Sequence, residues 1–291
     1  MAGKSKAKSL SSGRPPNLTK PRASLSSQAT RTLIRSHHQL NKQLEAAKAK
    51  GNDAEASELA KKIEDLGGLK SYQQASIQGQ SNDRGGDSSA LLMKWLQPTS
   101  AALPKTDPKL RLLEVGALST TNICSKSGLF DVQRIDLNSQ ADGILQQDFM
   151  QRPLPASPAD TFDIISLSLV LNYVPDAPGR GEMLKRTCQF LDTRRRIDRA
   201  AEVQAGFPAL FLVLPAPCIA NSRYMDEARL GAIMTSLGYT MLQRKQTAKL
   251  VYYLWRLEGA ARDAKAKFPK LEVNPGAGRN NFSIVLTPSR S

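Results

Sequence analysis

From about residue 90 onward, short apolar runs alternate with stretches whose apolar residues recur at helical spacing. LRLLEVGA (110–117), VQRIDL (132–137), ILQQDF (144–149), FDIISLSLVL (162–171) and ALFLVLP (209–215) predict strands. GEMLKRTCQFL (181–191) and RYMDEARLGAIMTSLGY (223–239) predict helices between and after them, and KLVYYLWRL (249–257) and NFSIVLT (281–287) predict two closing strands. Buried, continuous apolar strands alternating with helices require both sheet faces to be covered. The expectation for residues 90–291 is therefore one α/β domain, an open and mostly parallel sheet with helices on both faces.

Upstream the periodicity changes. Leu33, Leu40 and Leu44 fall on one stripe and Leu59, Ile63 and Leu66 on another, joined at KGNDAE and ended by Gly67 and Gly68. A helical hairpin is predicted over 28–68, packing on the body or on a partner and carrying no chemistry. Residues 1–27 have almost nothing to bury and predict a disordered basic tail. The polar stretch 69–89 reads as a linker, after which a short helix through Trp95 opens the domain.

Charge adds the first functional clue. Residues 1–50 hold 11 Lys and Arg against the single acid Glu45, and residues 241–291 hold 10 against 3, whereas residues 51–240 hold 20 against 22. The net charge of +15 thus divides into about +10 and +7 at the ends and about −2 between them, a near-neutral body with basic arms of the kind that meet phosphate. No apolar run approaches the roughly 20 residues of a spanning helix, and none follows Met1, so a soluble, non-secreted protein without a membrane partner is expected. Cys124, Cys188 and Cys218 form no C-x-x-C pair, which predicts neither zinc nor a disulfide framework. Scattered lysines and paired prolines in the tail, without an amphipathic Leu/Arg helix before Thr30, favour a nuclear address over a mitochondrial one.

The chemistry centres on EVGALSTTN, the turn after the first predicted strand. In open α/β sheets ligands lie at the carboxyl ends of the strands. Gly116 allows a tight turn and close approach of a ligand, but the later glycines that serve a pyrophosphate are replaced by Leu118 and polar residues, and there is no G-x-x-x-x-G-K-[ST] loop. A dinucleotide or nucleoside triphosphate is poorly served. A nucleoside without phosphates fits better. Asp136 ends the second strand 20 residues after Gly116, the spacing at which an acid takes ribose hydroxyls; Asp148, ending the third, is placed to accept from an adenine amino group; and Glu114 orients the turn or an amino group. S-adenosylmethionine, an adenosine joined to an amino acid, is such a ligand.

The runs LLEVGALS, IDLNS, QQDFM, FDIISLSLVLNYVPD, GRGEMLKRTCQFL and LPAPCIANSRY, with RGGDSS upstream, resemble the fungal 25S ribosomal-RNA adenine-N1 methyltransferase family. The likeness runs from about Gly67 to Tyr239. It implies a Rossmann-like, class I S-adenosylmethionine-dependent methyltransferase with a seven-stranded sheet whose last strand is antiparallel, acting in the nucleolus of the nucleus, with cofactor contacts at Gly116 and Asp136. It also implies a large-subunit rRNA or pre-ribosome as partner; a monomer is expected. The [DN]PP[FYW] element of adenine-N6 enzymes is absent, and NYVP (Asn172 to Pro175) occupies its region.

Adenine N1 already carries an in-plane lone pair, so such an enzyme must position the base and exclude water rather than create a nucleophile. The only histidines, His37 and His38, lie in the hairpin, and a catalytic histidine is not needed. N1 is on the Watson-Crick edge, so the base must be unpaired, and an aromatic platform helps. Tyr173 and Tyr224 are candidate platforms, Asn172 and Asn221 candidate hydrogen-bonding groups, and Arg223 a candidate orienting or phosphate contact. Two alternatives share these features: a catalytically inactive S-adenosylmethionine-binding sensor or adaptor, and a small-molecule methyltransferase, against which the basic ends count.

Overall fold

The computed structural model describes residues 27–68, 71, 86–101, 109–139, 141–193, 206–259 and 265–288. Nearly all of the expected tail, most of the linker, and Arg194, Arg195, Arg196 and Arg199 of the stretch 192–206, which from the sequence either extends the preceding helix or forms a basic insertion near the site, lie outside the described residues.

Two helices, α1 (Ser27–Ala49) and α2 (Asp53–Asp65), pack together and bury Ala47 and Leu59. Between them Gly51 takes φ +67°, and Asn52 caps α2 reciprocally: its Oδ1 accepts from the Glu55 amide and its Nδ2 donates to the Glu55 carboxylate. The body follows as α3 (Ser89–Ala101), β1 (Leu110–Val115), α4 (Ile123–Lys126), β2 (Phe130–Asp136), β3 (Leu145–Gln146), β4 (Ile164–Ser168), α5 (Ala177–Phe190), β5 (Ala209–Pro215), α6 (Pro217–Ala220), α7 (Glu227–Ser236), β6 (Tyr239–Gln246) and β7 (Leu250–Leu257). The seven strands lie in the order β3-β2-β1-β4-β5-β7-β6. The first five run parallel, and β7 is antiparallel to both β5 and β6.

Successive strand residues point to opposite faces, and both faces are apolar, which is why these strands read as continuous runs. Leu113, Val115, Ile165, Leu167, Leu210 and Leu212 join Met183 and Leu184 of α5 and Leu230 and Ile233 of α7 in one core. Leu110, Leu112, Ile164, Phe211 and Val213 join Leu92 and Leu96 of α3 in the other.

Three elements differ from expectation. The third strand shortens to two exposed residues, because the Asp148 carboxylate accepts from the Met150 amide and turns the chain so that Phe149 drops into the core. NFSIVLT is not a strand of the sheet. Its alternating Phe282, Ile284 and Leu286 are buried against the α5 and α7 face, with Val285 N donating to Ala177 O and a bridge from Leu286 to Phe268. The seventh strand is instead β6, whose polar half is exposed at the sheet edge and so lacks the apolar signal of a buried strand. Among the described residues, no helix is long and apolar enough to cross a membrane.

Candidate active site

Because β1, β2, β4 and β5 are parallel, their carboxyl ends share one edge of the sheet. Val115 stands opposite Ile135 and Leu167, and Ser168 opposite Val213. The strand order reverses between β1 and β4, which opens a crevice there. Gly116 sits at its mouth with φ +73°, its amide and that of Ala117 both donating to Ile135 O. A Cβ on Gly116 would lie 2.7 Å from Val170 Cγ2, in the loop after β4, so the glycine answers both a backbone and a packing demand.

Glu114 lies beneath this turn. Asn122, just before α4, donates to Oε1 at 2.7 Å, while Arg134 Nε stands 3.9 Å from Oε2, too far for a hydrogen bond. Oε2 has no donor. Burial pushes the Glu114 carboxyl up from its ordinary 4.5 to about 7, against the pull of Arg134 and Asn122 and with help from the nearby Asp87 carboxylate. A carboxyl raised on folding binds its proton more tightly in the native state, so its contribution favours folding at low pH and is lost as pH rises from about 4.5 to about 7. Urea unfolding of wild type and Glu114→Gln at pH 5 and pH 8 is expected to show the glutamine protein gaining on wild type by roughly 2–3 kcal/mol at the higher pH. Parallel profiles would contradict it.

Asp136 and Asp148 end up beside the same edge. Each carboxylate accepts an amide two residues ahead, Asn138 for Asp136 and Met150 for Asp148, both at 2.8 Å, so each also shapes its own turn. Leu137, next to Asp136, is 63% exposed, an apolar surface the sequence reading did not single out. Across the crevice, Leu169 at the end of β4 has φ +60°, an uncommon conformation for a branched side chain that tends to mark functional turns. Tyr173 N donates to Val170 O to close the turn that carries Asn172, whose buried Oδ1 has no donor.

Asp87, Ser88 and Ser89, the described end of the upstream RGGDSS run, belong to this site. Asp87 accepts from the Ile123 amide at 2.5 Å and from the Ser89 amide and hydroxyl, Ser89 Oγ accepts from the Cys124 amide, and the Ser88 and Ser168 hydroxyls lie 2.9 Å apart. They thus tie the start of α3 to α4 and to the end of β4. A sequence reading had no signal for a bond spanning 36 residues beyond the clustering of Gly, Asp and Ser.

Asn221 and Arg223 sit beyond β5 on the same edge, but their side chains face the C-terminal strip. Asn221 Nδ2 donates to Gly278 O at 3.4 Å, and the Arg223 guanidinium donates to Gly276 O at 3.0 Å and Asn281 Oδ1 at 3.4 Å. Tyr224 carries Lys270 Nζ 4.3 Å above its ring centroid. Among the described residues, no group of three or more His, Cys, Asp and Glu is arranged to hold a metal ion.

Acceptors therefore gather at this edge: buried Glu114 Oε2 and Asn172 Oδ1 have no donor, and Asp136 and Asp148 stand at the ends of β2 and β3. Such a set repels phosphate and suits a ligand rich in N–H and O–H donors or bearing positive charge. The profile of the Bmt2 family, described as 25S rRNA (adenine(2142)-N(1))-methyltransferase, matches residues 57–284. The chain belongs to this family. It is 40% identical over 225 residues to the Saccharomyces cerevisiae 25S rRNA (adenine(2142)-N(1))-methyltransferase, covering 77% of this chain and 61% of that protein. It spans less than two thirds of that relative's length. The Schizosaccharomyces pombe 25S rRNA adenine-N(1) methyltransferase is also 40% identical, over 257 residues covering 87% of this chain and 89% of that one. Among solved structures, the O-methyltransferase NcsB1 from neocarzinostatin biosynthesis, in complex with S-adenosyl-L-homocysteine, aligns at 12% identity and a TM-score of 0.46, covering 77% of this chain and 70% of that one.

Proposed function

We propose that the chain is an S-adenosylmethionine-dependent methyltransferase that modifies N1 of an adenine in large-subunit rRNA, working as a monomer in the nucleolus. What supports the reading is the pair of donorless buried acceptors, Glu114 Oε2 on β1 and Asn172 Oδ1 on the turn after β4, at the two strands between which the sheet order reverses, in a chain of this family. Bound there, S-adenosylmethionine supplies an activated methyl on a sulfonium centre. Gly116 would admit its amino-acid part to the backbone, Glu114 would accept from its ammonium group, Asp136 would accept from the ribose hydroxyls, exposed Leu137 next to it would offer the base an apolar contact, and Asp148 would accept from the adenine amino group.

The protein residues then have three tasks toward the target adenine. Asn172 and Tyr173, on the turn after β4, hold and stack the base so that its N1 lone pair faces the methyl group. Tyr224 offers a second aromatic face from beyond β5. Asn221 and Arg223 act one step removed, fixing the C-terminal strip that forms the wall on that side. No residue has to remove a proton before transfer, since N1 is already nucleophilic.

The test is methyl transfer from labelled S-adenosylmethionine to unmodified large-subunit rRNA, with nucleoside analysis of the product. Wild type is expected to place label in 1-methyladenosine, and Asp136→Ala to lose it by at least ~100-fold through lost ribose contacts. Tight cofactor binding with no transfer to any RNA would replace this reading with that of a cofactor-binding sensor.

A further inference from the structure

The edge that carries the candidate site is electrically lopsided. At the β2 and β3 ends stand Asp136 and Asp148, and Asp87 lies near Glu114, whose carboxyl has Arg134 3.9 Å away. At the β5 end the charge reverses. Lys249, at the β6–β7 turn, accepts the Ala216 amide on its backbone oxygen at 2.8 Å, which places it at the start of the segment after β5. Lys270 lies over Tyr224. Arg279 precedes Asn280, whose side chain donates to Pro217 O and Asn221 O and whose backbone oxygen accepts from Arg223 N. Three cations, one from the β6–β7 turn and two from the C-terminal strip, thus come to residues 216–224. Lys249 and Lys270 are exposed, and among the described residues neither pairs with a carboxylate. Nearby acids are few: Asp226 accepts from the Arg229 amide as the cap of α7, Glu227 is engaged by Arg244 and Tyr253, and Glu272 is exposed.

The strip bearing two of these cations is not a loose arm. Arg180, buried in α5, donates to Ser283 O and Pro175 O and stacks 4.8 Å from the Phe282 ring, which ties the strip to the turn after β4. Ser222 Oγ donates to Phe282 O at 2.6 Å. Within the strip, Arg279 Nε donates to Pro275 O and Arg229 donates to Pro269 O next to Lys270, so both cations sit on an ordered segment.

We infer that Lys249, Lys270 and Arg279 form the docking ridge for the phosphate backbone of the RNA on either side of the target base, so that the strand crosses the β5 end of the sheet while the cofactor occupies the acidic β1–β3 end. The inference rests on the proposed reading of the chain as an RNA methyltransferase. Opposite potentials on the two halves of one edge give both ligands a unique orientation: each is attracted by one half and repelled by the other.

The experiment measures binding of a fluorescently labelled single-stranded rRNA fragment to the full chain across a salt series, beside cofactor affinity. Each phosphate contact to a single strand contributes a slope of about 0.7 in log Kd against log salt, so Lys249→Ala/Lys270→Ala/Arg279→Ala is expected to lower the slope by about 2. Cofactor affinity should stay at the wild-type value, which also reports an intact fold. The charge-preserving Lys249→Arg/Lys270→Arg should keep the wild-type slope, and neutralising Lys48, Lys50 and Lys61 in the hairpin region should change it less than neutralising the ridge. An unchanged slope in the ridge variant overturns the ridge and leaves the methyltransferase reading standing. Wild-type protein that neither binds nor methylates RNA overturns both.

Discussion

In Gly116→Arg, affinity for the proposed cofactor is expected to fall by at least ~100-fold, about 2.7 kcal/mol, with methyl transfer falling at least as far. The side chain would project from the turn at the mouth of the crevice, where a Cβ alone already meets Val170 Cγ2 at 2.7 Å. Two costs are mixed in that variant, and they separate cleanly. Gly116→Ala places only the Cβ, adding roughly 1–2 kcal/mol for an L-residue at φ +73° and a collision with a side-chain methyl. Adding Val170→Ala removes that methyl, so Gly116→Ala/Val170→Ala should recover the collision share and keep the backbone share. Calorimetric titration of cofactor into the three variants, with urea unfolding to follow stability, reads both. Normal cofactor affinity in Gly116→Arg would remove the ligand from the β1–β4 crevice.

Gly181→Ala is expected to destabilise the protein by roughly 2–5 kcal/mol even though alanine is the better helix former by ~1 kcal/mol. A Cβ at this position in α5 would lie 1.9 Å from Val285 O and 2.9 Å from Val285 C. These are backbone atoms, so no side-chain rotation relieves the contact. The strip must lift away, exposing Phe282, Ile284 and Leu286, each worth roughly 1.5–3 kcal/mol when buried. Urea unfolding measures the loss, and faster proteolysis within 265–288 locates it. Since Arg223 donates to Gly276 O and Asn281, a lifted strip also loosens the wall beyond β5, and the salt slope for RNA should fall along with stability. Wild-type stability in Gly181→Ala would mean that the strip is not seated on α5 in solution.

The two glycines differ in how legible they were. Gly116 follows a strand-like run in a turn motif, so its role as the bend at the ligand edge could be read directly. Gly181 opens the predicted helix 181–191, and the structure places it a turn inside α5, where glycine has no local reason. Only contact with a strip a hundred residues later explains it. The same division runs through the site. Asp136 and Asp148 announced themselves by spacing after strands. Asp87 and Asn122 did not, because each works through a long-range or turn contact that carries no period. Arg180, one residue before the predicted helix, had no role assigned from the sequence, yet it is buried, holding two backbone oxygens, Pro175 O on the turn after β4 and Ser283 O on the strip.

By itself the sequence determined the class of fold, the positions of the five parallel strands and the acidic ends of the first three, because continuous apolar runs and strand-end carboxylates are local signals set by burial on two faces and by turn chemistry. It also placed the basic charge at the chain ends. The tertiary structure decided which segment became the seventh strand, since an exposed edge strand needs no apolar pattern while a strip lying across helices can have one. It decided that Glu114 loses water and holds its proton up to about 7, a consequence of what surrounds the carboxyl rather than of its neighbours in the chain. And it turned a basic C-terminal stretch into an ordered strip across the helices, because Phe282, Ile284 and Leu286 are buried in the core that α5 and α7 share.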